Sequence, residues 1–184
     1  MKREEALILL LEYVKNENLR KHCLASEAVL RAAAKTLGEN EERWALAGLL
    51  HDLDSELVNA NPKIHGLETA RILEEKGFDN EIIEAIKLHN EEATGLPRTT
   101  VFHHALSAGE TITGLITATT LVYPDKKLAS VKAKSIRKRM KEKNFAASVD
   151  RDKIRECEQA GIPLDEFIDL SLEAMRGISE DLGL

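Results

Sequence analysis

The chain has 184 residues, with 26 Lys and Arg against 32 Asp and Glu, for a formal charge of −6. Apolar residues make up 43% and charged residues 32%, a balance that excludes wholesale disorder at a length suited to one domain. Bulk acidity argues against a dedicated duplex-DNA binder, so nucleic acid is not an expected partner.

Pro and Gly number only four and ten, and strand-like alternation is absent. The recurring pattern is the helical period with caps at both ends. A first helix is expected over about Glu4 to Lys15. Its apolar run from Ala6 to Leu11 is closed by Glu12, too soon for a signal segment. Asn18 is placed to cap a second helix that runs to Leu37 and closes at Gly38. Asn40 caps a third, with Glu41 and Glu42 in its first turn, where negative charge suits the dipole. Asn61-Pro62 opens a fourth that ends at Gly77. Asp79 opens a fifth, through about Asn90. After the loop Thr94 to Arg98, Thr99 or Thr100 starts a long helix to about Val122, stopped by Pro124. Asp125 opens another through Lys141, and Asp150 and Pro163 begin the last two. The expectation is an all-α, single-domain globule of about nine helices over residues 1–184.

Seven aromatics leave the core to Leu, Ile, Val and Ala. No stretch reaches the roughly 18 apolar residues of a membrane span, so no membrane partner is expected. Cys23 and Cys157 form no CxxC pair. They read as buried thiols in a reducing, cytoplasmic setting.

Four of the six histidines fall on apolar faces of different expected helices. His22 lies with Ala25 and Val29, and His51 with Trp44, Ala47 and Gly48. His65 lies with Thr69 and Ile72, and His89 with Ile82 and Ile86. Inward imidazoles need partners. One alone reads as a hydrogen-bonded core histidine, whereas four are better satisfied together by a divalent metal. Asp52 directly follows His51 at the end of an apolar helix. Gly48, one turn earlier, lets another helix approach. His103 and His104 begin the long helix beside a loop and are expected to be exposed and outside the site.

These residues give the chain a resemblance to the HD-domain superfamily of metal-dependent phosphohydrolases. The family pattern is a His, then a His-Asp pair, then a distal Asp, all on helices. Here the first His is similar to His22 in Lys-His-Cys-Leu-Ala-Ser, and the pair is His51-Asp52, 29 positions later. The distal acid falls on Glu110 in Ala-Leu-Ser-Ala-Gly-Glu-Thr-Ile-Thr-Gly. His65 and His89 occupy the interval where members with two metals carry further histidines. The chain departs from the family at Asn90, where the branch that cleaves cyclic dinucleotides has a second histidine. It departs again at Glu110 and at Asp54, where many relatives have Gly. The resemblance implies an HD-like metal-binding core over residues 18–122, with residues 123–184 as a helical extension packed on it. It also implies a cofactor of one or two divalent ions (Mn, Fe, Co, Ni or Zn) on His22, His51, Asp52, His65, His89 and Glu110.

A metal held by neutral imidazole and carboxylate lowers the pKa of its water. The implied activity is therefore hydrolysis of a small, nucleotide-like phosphoester, with Asp52 anchoring the ion and bridging if there are two. Asp54 and Glu56, just after the pair, are the nearest groups for moving a proton. Between Lys126 and Lys143 stand nine Lys or Arg and one acid, a local charge of +8 on a chain otherwise at −14. Ala129, Ala133, Ile136 and Met140 give that segment an apolar seam. It reads as a solvated helix or as a collar in which Lys134, Arg137 and Lys138 meet the substrate; a third reading, RNA binding, lacks interleaved aromatics. Two function classes stay open: a phosphohydrolase, and a non-catalytic regulatory or interaction module that keeps the fold. Five retained inward polar groups favour the enzyme, since each costs stability when unpaired. Homo-oligomerisation stays open.

Overall fold

The computed structural model describes residues 2–184. Among these, the chain forms eleven α-helices and no strand. They are α1 (Arg3–Tyr13), α2 (Glu17–Leu37), α3 (Glu41–Leu50), α4 (Leu67–Glu75), α5 (Asn80–His89) and the single turn α6 (Glu91–Thr94). The chain continues through α7 (Val101–Leu121), α8 (Ala133–Lys141), α9 (Arg151–Gln159), α10 (Leu164–Arg176) and the short α11 (Ser179–Leu182). No helix among the described residues is long and apolar enough to cross a membrane.

Most expected caps are in place. The side chains of Asn40, Asp79, Thr100 and Asp150 each accept a backbone N–H from the first turn of their helix. Gly38 closes α2 with φ +73°.

Three boundaries differ from expectation. Asn16, not Asn18, caps α2, because its Oδ1 reaches the amide of Leu19. Asn61 caps only a turn, and α4 begins at Leu67. The helix cannot run through Gly66, whose φ is +90°, and a Cβ there would lie 3.1 Å from the His89 ring. His65 therefore sits in the turn before α4, not on a helical face with Thr69 and Ile72. The segment after Asp125 is likewise not helical at once. Lys126 adopts φ +53°, a 3₁₀ turn spans Leu128–Ser130, and α8 starts at Ala133.

α2 and α7 run through the middle of the molecule. α2 packs against α3, α7 and α10, and α7 packs against α5, α8 and α9. The inward face of α2 carries Cys23, Ala25, Val29, Leu30, Ala33 and Ala34, all essentially inaccessible. Burying such aliphatic surface is the main stabilising term, about 25 cal/mol per Å². Trp44 stacks on Phe102 with ring planes 6° apart, tying α3 to α7. A close helix crossing lies at Gly48, where a Cβ would stand 2.6 Å from the Ser26 carbonyl oxygen. That contact brings the end of α3, and so His51, against the part of α2 that carries His22.

Candidate metal centre

Five elements converge beneath this crossing. His22 comes from α2, and His51 and Asp52 from the end of α3 and the turn after it. His65 comes from the turn before α4, and His89 from the last residue of α5. Glu110 comes from α7.

The imidazoles form two pairs. The Nε2 atoms of His22 and His51 are 3.1 Å apart, and those of His65 and His89 are also 3.1 Å apart. Asp52 lies between the pairs. Its Oδ1 is 3.0 Å from His65 Nε2, 3.5 Å from His51 Nε2 and 3.8 Å from His89 Nε2. Its Oδ2 is 3.6 Å from His22 Nε2. Two ligand groups result, His22–His51–Asp52 and Asp52–His65–His89, each with donor atoms within 4.8 Å of one another.

The outer nitrogen of every ring is held by a hydrogen bond. His51 Nδ1 donates to the Gly48 carbonyl at 2.8 Å, and His89 Nδ1 to the Ile86 carbonyl at 2.6 Å. These are the free carbonyls of the last turns of α3 and α5. His22 Nδ1 donates to Thr113 Oγ1 at 2.9 Å, and the Thr113 hydroxyl donates onward to the Glu110 carbonyl at 2.7 Å. His65 Nδ1 donates to Asp54 Oδ1 at 2.8 Å. This network assigns the tautomers and turns all four Nε2 atoms toward Asp52. Such outer-nitrogen bonds are the supports that orient metal-binding histidines.

The electrostatics follow from burial and proximity. Burial and the neighbouring His51 hold the His22 ring below its ordinary pKa. Burial, with His51 and His65, pushes His89 down to about 3. Burial opposes charge on Asp52, but His51, His65 and His22 together keep its carboxyl well below the usual range. His65 is the exception. Burial opposes its charge, yet it lies between two carboxylates, Asp52 and Asp54, which raise it to about 10.

Other expected site residues are placed differently. Glu110 faces the cluster at one remove, with Oε2 3.9 Å from His22 Nε2 and Oε1 accepting the Thr111 hydroxyl. Burial raises its pKa, against the pull of His22. Asp54 is fully buried, so it is not an open proton carrier. Besides holding His65, it accepts the amides of Gly66 at 2.7 Å and Thr69 at 3.1 Å. Glu56 is exposed and accepts the amides of Lys15 and Asn16. Asn90 donates to the carbonyls of Pro62 and His65, so it fixes the His65 turn.

Of the expected collar, Lys134, Arg137 and Lys138, none lines the two cavities that include His22. α8 docks through Ile136 and Met140, and Arg137 is bound to Asp165 and Asp169 of α10. Lys138 is exposed beside Glu142, and Lys134 faces solvent. The lysines that do line those cavities are Lys153 and Lys21. His103 and His104 stay outside the cluster but are not exposed. His103 is buried, and His104 Nδ1 is 2.8 Å from the Glu156 carboxylate.

The family model described as HD domain matches residues 19–145. No curated protein and no solved structure matches the chain significantly.

Proposed function

The chain belongs to the HD domain family, and on that premise we propose that it is a metal-dependent phosphohydrolase acting on a nucleotide or related small phosphoester. The observation that carries this reading is the convergence of four Nε2 atoms on Asp52 while every outer ring nitrogen is already bonded. In the neutral tautomers that those bonds assign, His22 and His51 turn their Nε2 lone pairs on each other, an arrangement that suits a cation. His22, His51 and Asp52 would hold one divalent ion, with Glu110 completing that group. Asp52, His65 and His89 would hold a second. Ions held there would supply an acidified water and a Lewis acid for a phosphoryl oxygen.

The remaining work falls to the chain. Gly48, Ile86, Thr113 and Asp54 fix the rings, so little reorganisation is needed at the moment of reaction. Leu49, Leu50 and Leu53, which flank the His51-Asp52 pair in sequence, are fully buried and anchor that segment in the core. His22 is the most open of the four rings, with its side chain 26% exposed, so substrate reaches the centre past His22 and Glu110. Asp54 and Glu56 are committed to backbone amides, so proton traffic runs through water in that cleft.

The test is turnover of a generic phosphoester with added Mn²⁺ or Co²⁺, beside Asp52→Ala. Turnover that the variant loses supports the proposal. No turnover across a panel of nucleotide and sugar phosphates, with metal bound, refutes the enzymatic reading.

A further inference from the structure

Two cavities meet at His22 and Gly114. The smaller, about 230 Å³, lies beside Glu110 and is walled by Ser148, Val149, Asp150 and Lys153. The larger, about 510 Å³, includes Lys21, Thr117, Leu121 and Leu182. The wall of the smaller cavity comes from residues that follow the matched family segment, which ends at 145.

That wall is a fixed structure. The Arg151 guanidinium donates to the carbonyls of Arg139, Glu142, Phe145, Ala146 and Val149, gathering the loop around one side chain. Arg139 in turn lies over the Phe145 ring at 4.2 Å. Asp150 is occupied as the cap of α9, accepting the amides of Asp152 and Lys153.

Lys153 is set apart from the other cation at the entrance. Lys21 is paired with Glu17 at 3.0 Å. Lys153 is half-buried and has no carboxylate within 4.0 Å among the described residues, although it shares its cavity with Glu110 and Asp150. A half-buried ammonium held in no ion pair, in a cavity that also presents the Ser148 hydroxyl and opens at His22, suits a tetrahedral oxyanion.

We propose that Lys153, with Ser148, binds the substrate's phosphate, and that Arg151 positions the loop that presents them. This rests on the reading of the centre as a phosphohydrolase site. The competing role for Lys153 is to offset the buried charge of Glu110, and it predicts a different response.

The experiment is calorimetric titration of the Mn²⁺-loaded protein with inorganic phosphate, for wild type, Lys153→Met, Lys153→Arg and Lys134→Met. Mn²⁺ affinity is measured separately for each. Losing a charge-assisted contact should weaken phosphate binding at least about tenfold in Lys153→Met. Lys153→Arg should restore most of it, Lys134→Met should match wild type, and Mn²⁺ affinity should be unchanged throughout. Unaltered phosphate affinity in Lys153→Met overturns the proposal and leaves the metal centre standing. A change in Mn²⁺ affinity alone overturns it in favour of the Glu110 role. A wild type that binds no Mn²⁺ removes the metal centre itself, and the phosphate site with it.

Discussion

His22 and His51 face each other Nε2 to Nε2 at 3.1 Å, and a neutral ring has only one N–H to give. His51 has given its N–H to Gly48, and His22 has given its own to Thr113. Burial and the neighbouring His51 hold His22 below its ordinary pKa, which disfavours a second proton on that ring. Two opposed lone pairs are repulsive in a low-dielectric site. A cation shared with Asp52 would turn that repulsion into ligation.

The second imidazole pair differs, and the difference predicts a pH dependence. Asp52 and Asp54 hold His65 in its charged form up to about pH 10, whereas a metal takes only neutral imidazole. Binding at the Asp52–His65–His89 group must therefore expel a proton. Raising the pH removes that competitor, so affinity for this ion should climb about tenfold per unit between pH 7 and 9. Mn²⁺ titrations in buffers of different ionisation heat should show about one proton released. A flat profile would mean that His65 takes no part.

Asp54→Asn separates support from ligation. The side chain is fully buried and holds the His65 ring, the Gly66 amide and the Thr69 amide. Removing its charge should weaken the second ion about 10- to 100-fold and leave the first nearly unchanged. Thermal unfolding should show a loss of about 1–3 kcal/mol. Equal loss at both groups would refute the division of labour between them.

Gly48→Ala tests the crossing that brings α3 onto α2. The new methyl would meet the Ser26 backbone at 2.6 Å, where no side chain can swing aside. Chemical denaturation should report a loss of about 1–3 kcal/mol. Metal affinity should fall as well, because His51 moves with the end of α3. Wild-type stability would show that the helices separate freely there.

The helices were legible because their caps and apolar spacing are local. The inward set His22, His51, Asp52 and His89 was legible because each sits among aliphatic neighbours at helical spacing. His65 was placed with them for an incorrect reason. Its helical face does not exist, and a left-handed Gly66 together with Asn90 brings it in from a turn. The support from Thr113 had a faint signal, three residues after Glu110 on one helix. The facing of the basic run was not legible, because charge density in sequence says nothing of it: Arg137 pairs with Asp165 and Asp169 of α10. Lys153 had no signal at all. It lies 131 positions from His22 in sequence and reaches the site only through the loop that Arg151 gathers.

The measurement that bears most directly on the shared Asp52 carboxylate is metal content per chain. It would be taken by mass spectrometry on protein purified without chelator and then incubated with Mn²⁺, beside Asp52→Ala. Two ligand groups joined through Asp52 predict close to two equivalents in the wild type and loss of both in the variant. A variant that keeps the wild-type load, or a wild type that takes up none, would contradict the account.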